Sequence, residues 1–446
     1  MSSASLYAAP LTIISRKIAE LRANPRNARI HPKRQIRELA ESIRLYGFNN
    51  PILIGPDGEI IAGHGRLEAA KHAGLSEVPT IMLPHLNEQQ RRGFVIADNK
   101  HGLNSGWDQD KLAMELTALV ALDFDIPALG FSVTEVDFII DTAATSATTG
   151  PDPSDDEVPD LEENAVSQMG DVWIMGRHRL INGDARSAGD YLALLADEQI
   201  DLIFTDPPYN VPIDGNVCGS GSVHHREFAM ATGEMSPQQF EEFLYETLAA
   251  SAAVCRDGAI AFVCMDWRHM GELIAAGGRV FDELKNVCVW NKKNAGMGTF
   301  YRSKHEMVFV FKKGRVAHVN TFGLGDGGRY RTNVWDYHGI SSGGYNARQE
   351  LRMHPTVKPV AMVADAIRDC SKRGDFILDA FAGSGTTLIA AHSTGRIARL
   401  IEFDSLYCDV IIRRYESLTG IQARLGEAGP TFDEISETRL ANAYQS

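Results

Sequence analysis

The chain has 446 residues, of which 44% are hydrophobic and 23% charged. That composition is close to the soluble globular average and can build sizeable cores, so it excludes a wholly disordered or collagen-like chain. The 44 basic and 58 acidic residues give a net charge of −14. Taken as a single number, that charge argues against a nucleic-acid partner.

The charge is unevenly distributed along the chain. Residues 1–104 carry a net charge of +5, residues 105–170 a net charge of −14, and residues 171–446 a net charge of −5. Within the last part, residues 285–358 hold 13 basic and 4 acidic residues, a net charge of +9. The acidity therefore lies mostly in one central segment, and the basic stretch downstream is compatible with a polyanionic partner.

The six cysteines show no CxxC pair and no metal-like spacing, which favours an intracellular protein with reduced thiols and no metal site. The sequence contains no run of 18 apolar residues, so we expect no membrane span. The N-terminus lacks a basic region followed by a long apolar stretch, so we expect no secretory signal. A cytoplasmic location follows as the expectation.

Residues 10–105 show a mixed pattern that predicts a small α+β domain. The apolar spacing in Gln35–Tyr46 predicts an amphipathic helix. Pro51–Ile54 and Glu59–Ala62 read as short strands around a turn. A glycine-rich loop, Gly63-His64-Gly65-Arg66, then opens a helix over Leu67–His72.

Residues 106–141 predict a helical extension made of two acidic helices separated near Pro127, in which no helix-turn-helix DNA reader is evident. Residues 142–168 contain three prolines, an acidic run and no aromatic residue. Such a stretch cannot bury enough apolar area to offset its ordering entropy, so it predicts a linker. A solvated acidic loop within one domain remains the alternative.

Residues 169–425 alternate short apolar runs with amphipathic stretches, which predicts a largely parallel sheet with helices on both faces. The predicted helices cover 237–254 and 386–394. The predicted strands are Ile200–Phe204, Ala259–Cys264, Met307–Phe311, Phe376–Leu378 and Ile397–Ile401.

The tetrapeptide Asp206-Pro207-Pro208-Tyr209 directly follows the first of these strands, at the strand end where open α/β sheets bind ligands. An exocyclic amino group of a base is a weak nucleophile because its lone pair is delocalised into the ring. The carboxylate of Asp206 and the carbonyl of Pro207 can each accept one N–H and so localise that lone pair. Tyr209 offers a stacking face for an extruded base, worth roughly 1–3 kcal/mol. A rigid Pro-Pro turn after a buried strand is the structural alternative.

The glycine-rich segment 379–387 follows another predicted strand and opens a helix, where a tight turn and free N–H groups suit a ligand. Glu402 ends the next strand, about 20 residues further on, where a carboxylate can bind ribose hydroxyls. A Walker lysine is missing, which argues against phosphoryl transfer, and the incomplete GxGxxG pattern weakens a dinucleotide interpretation.

Together the two segments resemble the amino-methylating DNA methyltransferases that use S-adenosylmethionine, over about residues 170–420. Residues 175–184 are similar to the family's lead-in segment, residues 354–360 to its HPTxKP segment, and DAFAGSG carries Ala380 where the family has proline. The resemblance implies a Rossmann-like domain with a mostly parallel seven-stranded sheet. It implies catalytic roles for Asp206, Pro207, Pro208 and Tyr209. It implies cofactor binding by Asp184, Lys358, Asp379, Phe381, Gly383, Ser384, Gly385, Thr386, Thr387 and Glu402.

The tetrapeptide precedes the glycine loop, the permuted order of the family's β class, in which the intervening region recognises the target. Residues 285–353 are therefore predicted to be the target-recognition region, and basic and aromatic residues interleave there as a DNA-facing surface requires. An ordinary solvated face is the alternative. The predicted DNA-contacting residues are Lys292, Lys293, Tyr301, Arg302, Lys304, Arg329 and Arg331.

Residues 10–105 resemble the ParB/sulfiredoxin-like domain. In partition proteins of that family, a glycine-rich loop with an arginine at a helix start binds CTP, and Gly63, His64, Gly65 and Arg66 occupy that place here. His64-Gly65 departs from the family's usual charged pair. CTP binding, and a domain that only assists DNA docking or dimerisation, both remain open.

The combined expectation is a site-specific methyltransferase that acts on the N6 amino group of adenine in double-stranded DNA after base flipping, because aspartate at the first motif position favours adenine by family resemblance. Cytosine N4 methylation, methylation of RNA or protein glutamine, and a non-catalytic ParB-like DNA-binding adaptor are the alternatives. The sequence leaves a homodimer open and shows no nuclease motif. A DNA partner would place the protein at the nucleoid.

Overall fold

The computed structural model describes residues 11–103, 106–122, 124, 126–132, 135–140, 143, 156–210, 233–292, 300–321, 331–337 and 357–443. The chain divides into two compact units, residues 1–147 and 148–446. Predicted features over 142, 144–155, 293–299, 322–330 and 338–356 lie outside the described residues.

The N-terminal unit contains a four-stranded sheet in the order β1-β4-β2-β3, in which β2 runs parallel to β4 and the other pairs are antiparallel. This confirms the predicted small α+β domain. Its strands are β1 Ile13–Lys17, β2 Ile52–Ile54, β3 Ile60–Ala62 and β4 Glu77–Met82. Its helices are α1 Lys33–Tyr46, α2 His64–His72, α3 Glu88–Leu103 and α4 Gln109–Ala121, with 3-10 turns at Ile18–Glu20 and Ile126–Leu129 and a helical segment over 135–140.

Apolar residues from the strands and from α2 form the core of this unit. Ile52, Ile54 and Ile60 are fully buried and pack with Leu67 of α2. Helix α2 begins at His64, three residues before the predicted start, because Gly63 with φ +106° serves as its N-cap. That left-handed conformation favours glycine and turns the chain directly from β3 into the helix.

The C-terminal unit contains a ten-stranded sheet, within the described residues, in the order β11-β9-β10-β8-β7-β12-β13-β6-β5-β14. The five central strands from β8 to β6 are parallel to one another. Antiparallel pairs extend the sheet on both sides, through β10 and β9 at one edge and β5 and β14 at the other, and β11 adds to β9 in parallel. The strands are β5 Val172–Met175, β6 His178–Asn182, β7 Ile200–Thr205, β8 Cys255–Met265, β9 Glu283–Asn291, β10 His305–Lys312, β11 Val334–Asp336, β12 Phe376–Asp379, β13 Ile397–Glu402 and β14 Arg424–Leu425.

This architecture confirms the Rossmann-like α/β class, and it corrects the expected count of seven strands. The additional strands lie at the edges of the sheet. Strands β11 and β14 have three and two residues, too few for an alternating apolar pattern to appear in the sequence.

Both faces of the central sheet are buried. Within β7, Leu202 and Phe204 point into one hydrophobic core, and Ile203 points into the other. This period of two, on a run in which nearly every residue is apolar, is what a parallel strand covered by helices on both sides requires.

Helices cover the two faces. Helix α6 starts where predicted because Ser236 accepts a hydrogen bond from the Gln239 N–H while the Gln239 side chain accepts one from the Ser236 N–H. The helices are α5 Ala188–Leu195, α6 Pro237–Ala253, α7 Met270–Val280, α8 Val360–Cys370, α9 Thr386–Ser393, α10 Ser405–Thr419 and α11 Phe432–Ala443.

The two ends of the C-terminal unit meet in one of its cores. The N–H groups of Val166 and Ser167, which belong to the predicted linker, donate to the buried carboxylate of Asp409 at 2.6 and 2.9 Å. Phe432 of α11 packs edge-on against Trp173, with ring centroids 5.3 Å apart. The compact unit therefore includes residues on both sides of the predicted limits 169 and 425. Across the described residues, helices that combine the length and apolarity needed to cross a bilayer are absent.

Candidate active site

Strands β7 and β12 are parallel neighbours at the centre of the sheet, which brings the two predicted motifs together. Leu202 pairs with Ile377, and Ile203 pairs with Leu378. Beyond these pairs, the Thr205 hydroxyl donates to Asp379 Oδ1 at 2.9 Å. The tetrapeptide 206–209 and the glycine loop 379–387 therefore leave the same edge of the sheet side by side, at the point where open α/β sheets bind ligands.

The carboxylate of Asp206 is held by two neighbours. The Tyr209 hydroxyl donates to Asp206 Oδ1 at 2.6 Å, and the ammonium of Lys358 pairs with Asp206 Oδ2. An ionised carboxylate has about four acceptor positions, so Asp206 can accept a further N–H. Pro207 is buried, and Pro208 and Tyr209 are half-buried.

Lys358 is a buried cation that lies between two carboxylates. Its Nζ lies 3.2 Å from Glu306 Oε2, in addition to its pairing with Asp206. Burial by itself lowers the pKa of Lys358, but the two carboxylates reverse this effect and raise the pKa well above its usual value. The sequence predicts Lys358 to be a cofactor-binding residue, and in the structure it contacts the carboxylate of Asp206.

Glu306 is a site residue that the sequence did not single out. Its Oε1 pairs with the ammonium of Lys292 and its Oε2 lies close to Lys358 and the Tyr209 hydroxyl. Burial would raise the pKa of Glu306, but the two lysines lower it to about 2. The only signal for it in the sequence is an acidic residue near the start of an apolar strand in a basic segment.

Asn210 fixes the chain just after the tetrapeptide. It is buried with φ +51°, a left-handed conformation that asparagine tolerates better than most residues. Its Oδ1 accepts the N–H groups of Gly233 and Met235 at 3.1 and 3.2 Å, and its Nδ2 donates to the Met235 carbonyl at 2.8 Å. This clamp was not predicted, because its partners are distant in the sequence.

The glycine loop is closed by Glu402 at the end of β13. The Gly383 N–H donates to Glu402 Oε2 at 2.7 Å and the Asp404 N–H to Glu402 Oε1 at 2.9 Å. Burial raises the pKa of Glu402 to about 7, although both hydrogen bonds favour the ionised form. Gly385, at φ +81°, is the N-cap of α9, and a Cβ there would press against Ile411 at 3.2 Å.

Asp379 is a buried carboxylate at the root of the loop. It accepts hydrogen bonds from the Thr387 hydroxyl at 2.6 Å, from the Thr205 hydroxyl at 2.9 Å and from the Phe381 N–H at 3.1 Å. Burial raises the pKa of Asp379 to about 7. Two of these donors, Phe381 and Thr387, belong to the glycine loop, so Asp379 fixes the conformation of the loop.

The other predicted cofactor residues lie around the same loop. Phe381 packs against Phe243, with ring centroids 6.1 Å apart, and the Ser384 carbonyl accepts a hydrogen bond from the buried Arg414 at 2.8 Å. Thr386 is buried at the start of α9. The carboxylate of Asp184 forms a salt bridge with Arg186 at 2.7 Å, and this hydrogen bonding holds the pKa of Asp184 below its usual value.

These residues fit S-adenosylmethionine. Glu402 uses one oxygen for each backbone N–H, so acceptor positions remain for the hydroxyl groups of a ribose. The half-buried Phe381 offers a ring beside the loop. Among the described residues, groupings of three His, Cys, Asp or Glu side chains able to hold a metal ion are absent.

The predicted DNA-contacting residues are placed differently from one another. Lys292 pairs with Glu306, and Arg331 has a side chain only 16% exposed that donates to Asp369 at 3.0 Å and to Tyr337 at 2.8 Å. The side chains of Lys292 and Arg331 are therefore both engaged in contacts within the protein. Arg331 holds α8 in place rather than presenting a free guanidinium. Tyr301, Arg302 and Lys304 are exposed. Lys293 and Arg329 lie outside the described residues.

In the N-terminal unit, the predicted nucleotide loop forms the start of α2. The His64 imidazole accepts the Asn24 N–H at 3.2 Å, and burial lowers the pKa of His64. A Cβ at Gly65 would lie 2.9 Å from the His31 ring, so the close packing there requires glycine. The half-buried Arg66 lies near Asp98, a residue whose role the sequence did not explain.

Three family models match the chain. A model of the DNA methylase family matches residues 200–413, one of the ParB N-terminal domain residues 8–99, and one of the ParB-methyltransferase HTH domain residues 110–169. The last match corrects the expectation that residues 107–141 lack a helix-turn-helix. The strong negative charge of this region hid the motif, because DNA readers are usually basic.

Curated relatives match each part of the chain. The ParB-like nuclease domain-containing protein YnaK of Escherichia coli (strain K12) is 44% identical over 82 residues, 18% of this chain and 94% of YnaK. The type II methyltransferase M2.MboI of Moraxella bovis is 26% identical, over 52% of this chain and 86% of its own. The DNA adenine methyltransferase YhdJ of Escherichia coli (strain K12) is 26% identical, over 53% of this chain and 82% of its own.

Proposed function

Because the chain belongs to the DNA methylase family and also carries a ParB N-terminal domain, we propose that it methylates the N6 amino group of adenine at specific sites in double-stranded DNA. The observation that carries this proposal is the position of Asp206. Its carboxylate lies beside the glycine loop and is fixed by Tyr209 and Lys358.

Asp206 and Pro207 prepare the base for attack. The carboxylate of Asp206 and the carbonyl of Pro207 accept the two amino hydrogens of an extruded adenine, so the nitrogen lone pair is withdrawn from the ring. The half-buried ring of Tyr209 stacks on the base, and its hydroxyl keeps Asp206 oriented. Extrusion itself requires a few kcal/mol, which is offset by these contacts.

Lys358 and Glu306 act as positioning residues in this scheme. The ammonium of Lys358 compensates the charge of Asp206, and Glu306 fixes Lys358 from the other side. Because Lys358 is buried and both carboxylates are partly buried, loss of any one of the three groups would leave an uncompensated charge in the site. The arrangement keeps the acceptor oxygen in place when the amino group arrives.

The glycine loop would hold S-adenosylmethionine, with Glu402 on the ribose hydroxyls and Asp379 supporting the loop. When bound, this cofactor supplies an electrophilic methyl group on a sulfonium sulfur. Gly383, Ser384, Gly385, Thr386 and Thr387 form the turn and first residues of α9, and Phe381 and Asp184 lie at its sides. Residues 354–356 of the HPTxKP-like segment lie outside the described residues.

Adenine is favoured over cytosine by Asp206 at the first motif position and by the name of the relative YhdJ, a DNA adenine methyltransferase. The basic segment 285–358 and the helix-turn-helix match favour duplex DNA over RNA or protein. We further propose that the protein acts in the cytoplasm at the nucleoid, where duplex DNA is found, and a homodimer is compatible with this role. We propose residues 10–105, 106–141, 142–168 and 169–425 as functional segments, with the fold of the last one extending past both of its limits.

The proposal is tested by supplying the full chain with methyl-labelled S-adenosylmethionine and duplex DNA, RNA or a protein mixture. The expected result is label in duplex DNA that depends on adenine, measured with duplexes that contain adenine at varied positions or lack it. Label in an adenine-free duplex would indicate cytosine N4 instead. Failure to label any DNA, by protein shown to bind the cofactor, would leave the adaptor alternative.

CTP binding by the N-terminal unit is a second candidate function. It is favoured by the position of Arg66 in the first turn of α2, which begins directly after the left-handed Gly63. The N-terminus of a helix attracts phosphate groups. Wild-type protein is titrated with CTP, and Arg66→Ala is compared with Arg37→Ala on the exposed side of α1. The expected result is loss of binding for Arg66→Ala alone, and wild-type protein that does not bind CTP would remove the candidate.

A further inference from the structure

Phe300 and Tyr301 form an exposed aromatic pair in the C-terminal unit. Their side chains are 87% and 82% exposed, and their rings meet edge-on with centroids 4.7 Å apart at 78°. Two adjacent rings this exposed leave a large apolar area in water, which is unfavourable unless a partner covers them. The edge-on contact keeps the pair together as one unit.

The pair is attached directly to the candidate active site. Glu306 lies five positions after Tyr301, so their Cα atoms are at most about 18 Å apart even in an extended chain. Glu306 in turn contacts Lys358 and the Tyr209 hydroxyl. The Lys292 N–H donates to the Lys304 carbonyl at 2.9 Å, which ties this stretch to the end of β9.

The sequence around the pair is basic. Lys304 is exposed beside it, and segment 285–358 carries a net charge of +9. A protein partner would have to match this charge with an acidic surface, whereas duplex DNA presents phosphates on both sides of a stack of flat bases. An apolar ring flanked by cations therefore matches the interior and the edge of a DNA duplex.

We propose that Phe300 and Tyr301 enter the duplex at the target step and occupy the space left by the extruded base. This inference rests on the proposed function, since it assumes that a base leaves the helix to reach Asp206. Apolar side chains that enter base steps partly unstack them and open the duplex. Because the two rings are nearly perpendicular, one ring would stack on the neighbouring bases while the other supports it from the side, and together they would oppose the return of the extruded base.

The test compares Phe300→Ala, Tyr301→Ala and the double variant with wild type on two substrates, once the methylated sequence has been located by sequencing modified DNA. One substrate is the matched duplex. In the other, the target adenine faces an abasic site, so that its extrusion requires less unpairing. Leu284→Ala is the matched control. Phe300 and Tyr301 lie in the connection between β9 and β10, and the exposed Leu284 lies at the opposite end of this strand pair.

The double variant is expected to lose about tenfold or more in kcat/KM on the matched duplex, and less than about threefold on the abasic substrate. A tenfold loss corresponds to about 1.4 kcal/mol of transition-state stabilisation. Fluorescence of 2-aminopurine at the target position is expected to rise less than with wild type. Unchanged cofactor binding confirms that the variant is folded.

An equal loss on both substrates, or no loss on either, would overturn the aromatic-wedge assignment while leaving the methyltransferase proposal intact. A wild-type protein that transfers no methyl group to either DNA would instead overturn the proposed function, and this inference with it. Leu284→Ala is expected to match wild type on both substrates.

Discussion

The ammonium of Lys358 pairs with the carboxylate of Asp206, although 152 residues separate them in the chain. Glu306 lies on the other side of the same ammonium, at 3.2 Å. The end of β7, the start of β10 and the segment before α8 therefore share one charge network, in which the lysine is buried and both carboxylates are partly buried. This network, rather than the tetrapeptide alone, defines the candidate catalytic centre.

Asp206→Asn should lower methyl transfer to DNA by about 10²-fold or more, because it removes a charged acceptor aimed at the amino group. Binding of S-adenosylmethionine should change little, since Glu402 and the glycine loop are intact. Asp336→Asn on the edge strand β11 serves as the control, because Asp336 is exposed. Full activity of Asp206→Asn would contradict the assigned role.

Glu306→Gln should lower kcat more than it raises the KM for DNA, because Lys358 loses one of its two carboxylate partners. Those partners raise the pKa of Lys358, so removing one lowers it. The alkaline limb of the pH–rate profile should therefore begin at a lower pH than in wild type. Glu283→Gln at the exposed start of β9 is the control, and an unshifted profile for Glu306→Gln would refute this account.

Binding of S-adenosylmethionine should strengthen as the pH rises from about 6 to about 8. The pKa of Glu402 is about 7, so the group is largely protonated at the lower pH and ionised at the higher one. The ionised carboxylate is the better acceptor for ribose hydroxyls. The carboxylates of Asp404 and Asp379 help to raise the pKa of Glu402. Calorimetric titrations of Glu402→Gln and Asp379→Asn with S-adenosylmethionine therefore separate the contributions of these two groups to the pH dependence of binding. Glu402→Gln should bind weakly with little pH dependence, and a wild-type slope in that variant would assign the titration elsewhere.

The same raised pKa has a consequence for folding. An unfolded glutamate ionises near its ordinary pKa, whereas Glu402 in the folded protein stays protonated up to about 7. Its contribution therefore favours the folded state at low pH and is lost as the pH rises from about 4 towards 7. The Tm of Glu402→Gln should fall less over this range than that of wild type, and identical slopes would show that other groups dominate.

Arg331→Ala should destabilise the C-terminal unit by about 3 kcal/mol, because it removes the salt bridge that Arg331 makes with the buried carboxylate of Asp369. The measurement is the Tm in thermal unfolding, where a loss of several degrees is expected. Lys304→Ala, an exposed residue of the same basic segment, should leave the Tm unchanged and weaken DNA binding. An unchanged Tm for Arg331→Ala, together with lost DNA affinity, would restore the predicted DNA-contact role.

The sequence predicted the elements that depend on local pattern. The strands ending at Thr205 and Asp379 are apolar runs followed by turn-forming residues, and their shared place at one sheet edge follows from parallel topology. These features can be recognised in the sequence because strand ends and glycine turns have local sequence signatures.

Contacts between distant segments could not be predicted. Glu306 and Asn210 become site residues only when folding brings Lys358 and Met235 to them. Arg331 looked like a DNA contact because it lies in a basic stretch, but its partner Asp369 on α8 comes 38 residues later. Net charge had the opposite effect over residues 110–169. Their acidity argued against a DNA-reading motif, but this segment matches a helix-turn-helix family.

The most direct test of the central claim is mass analysis of nucleosides from duplex DNA treated with the protein and S-adenosylmethionine. The account predicts N6-methyladenine with wild type and its near absence with Asp206→Asn, while Asp336→Asn behaves as wild type. Formation of N4-methylcytosine, or of N6-methyladenine at equal levels with Asp206→Asn, would contradict it.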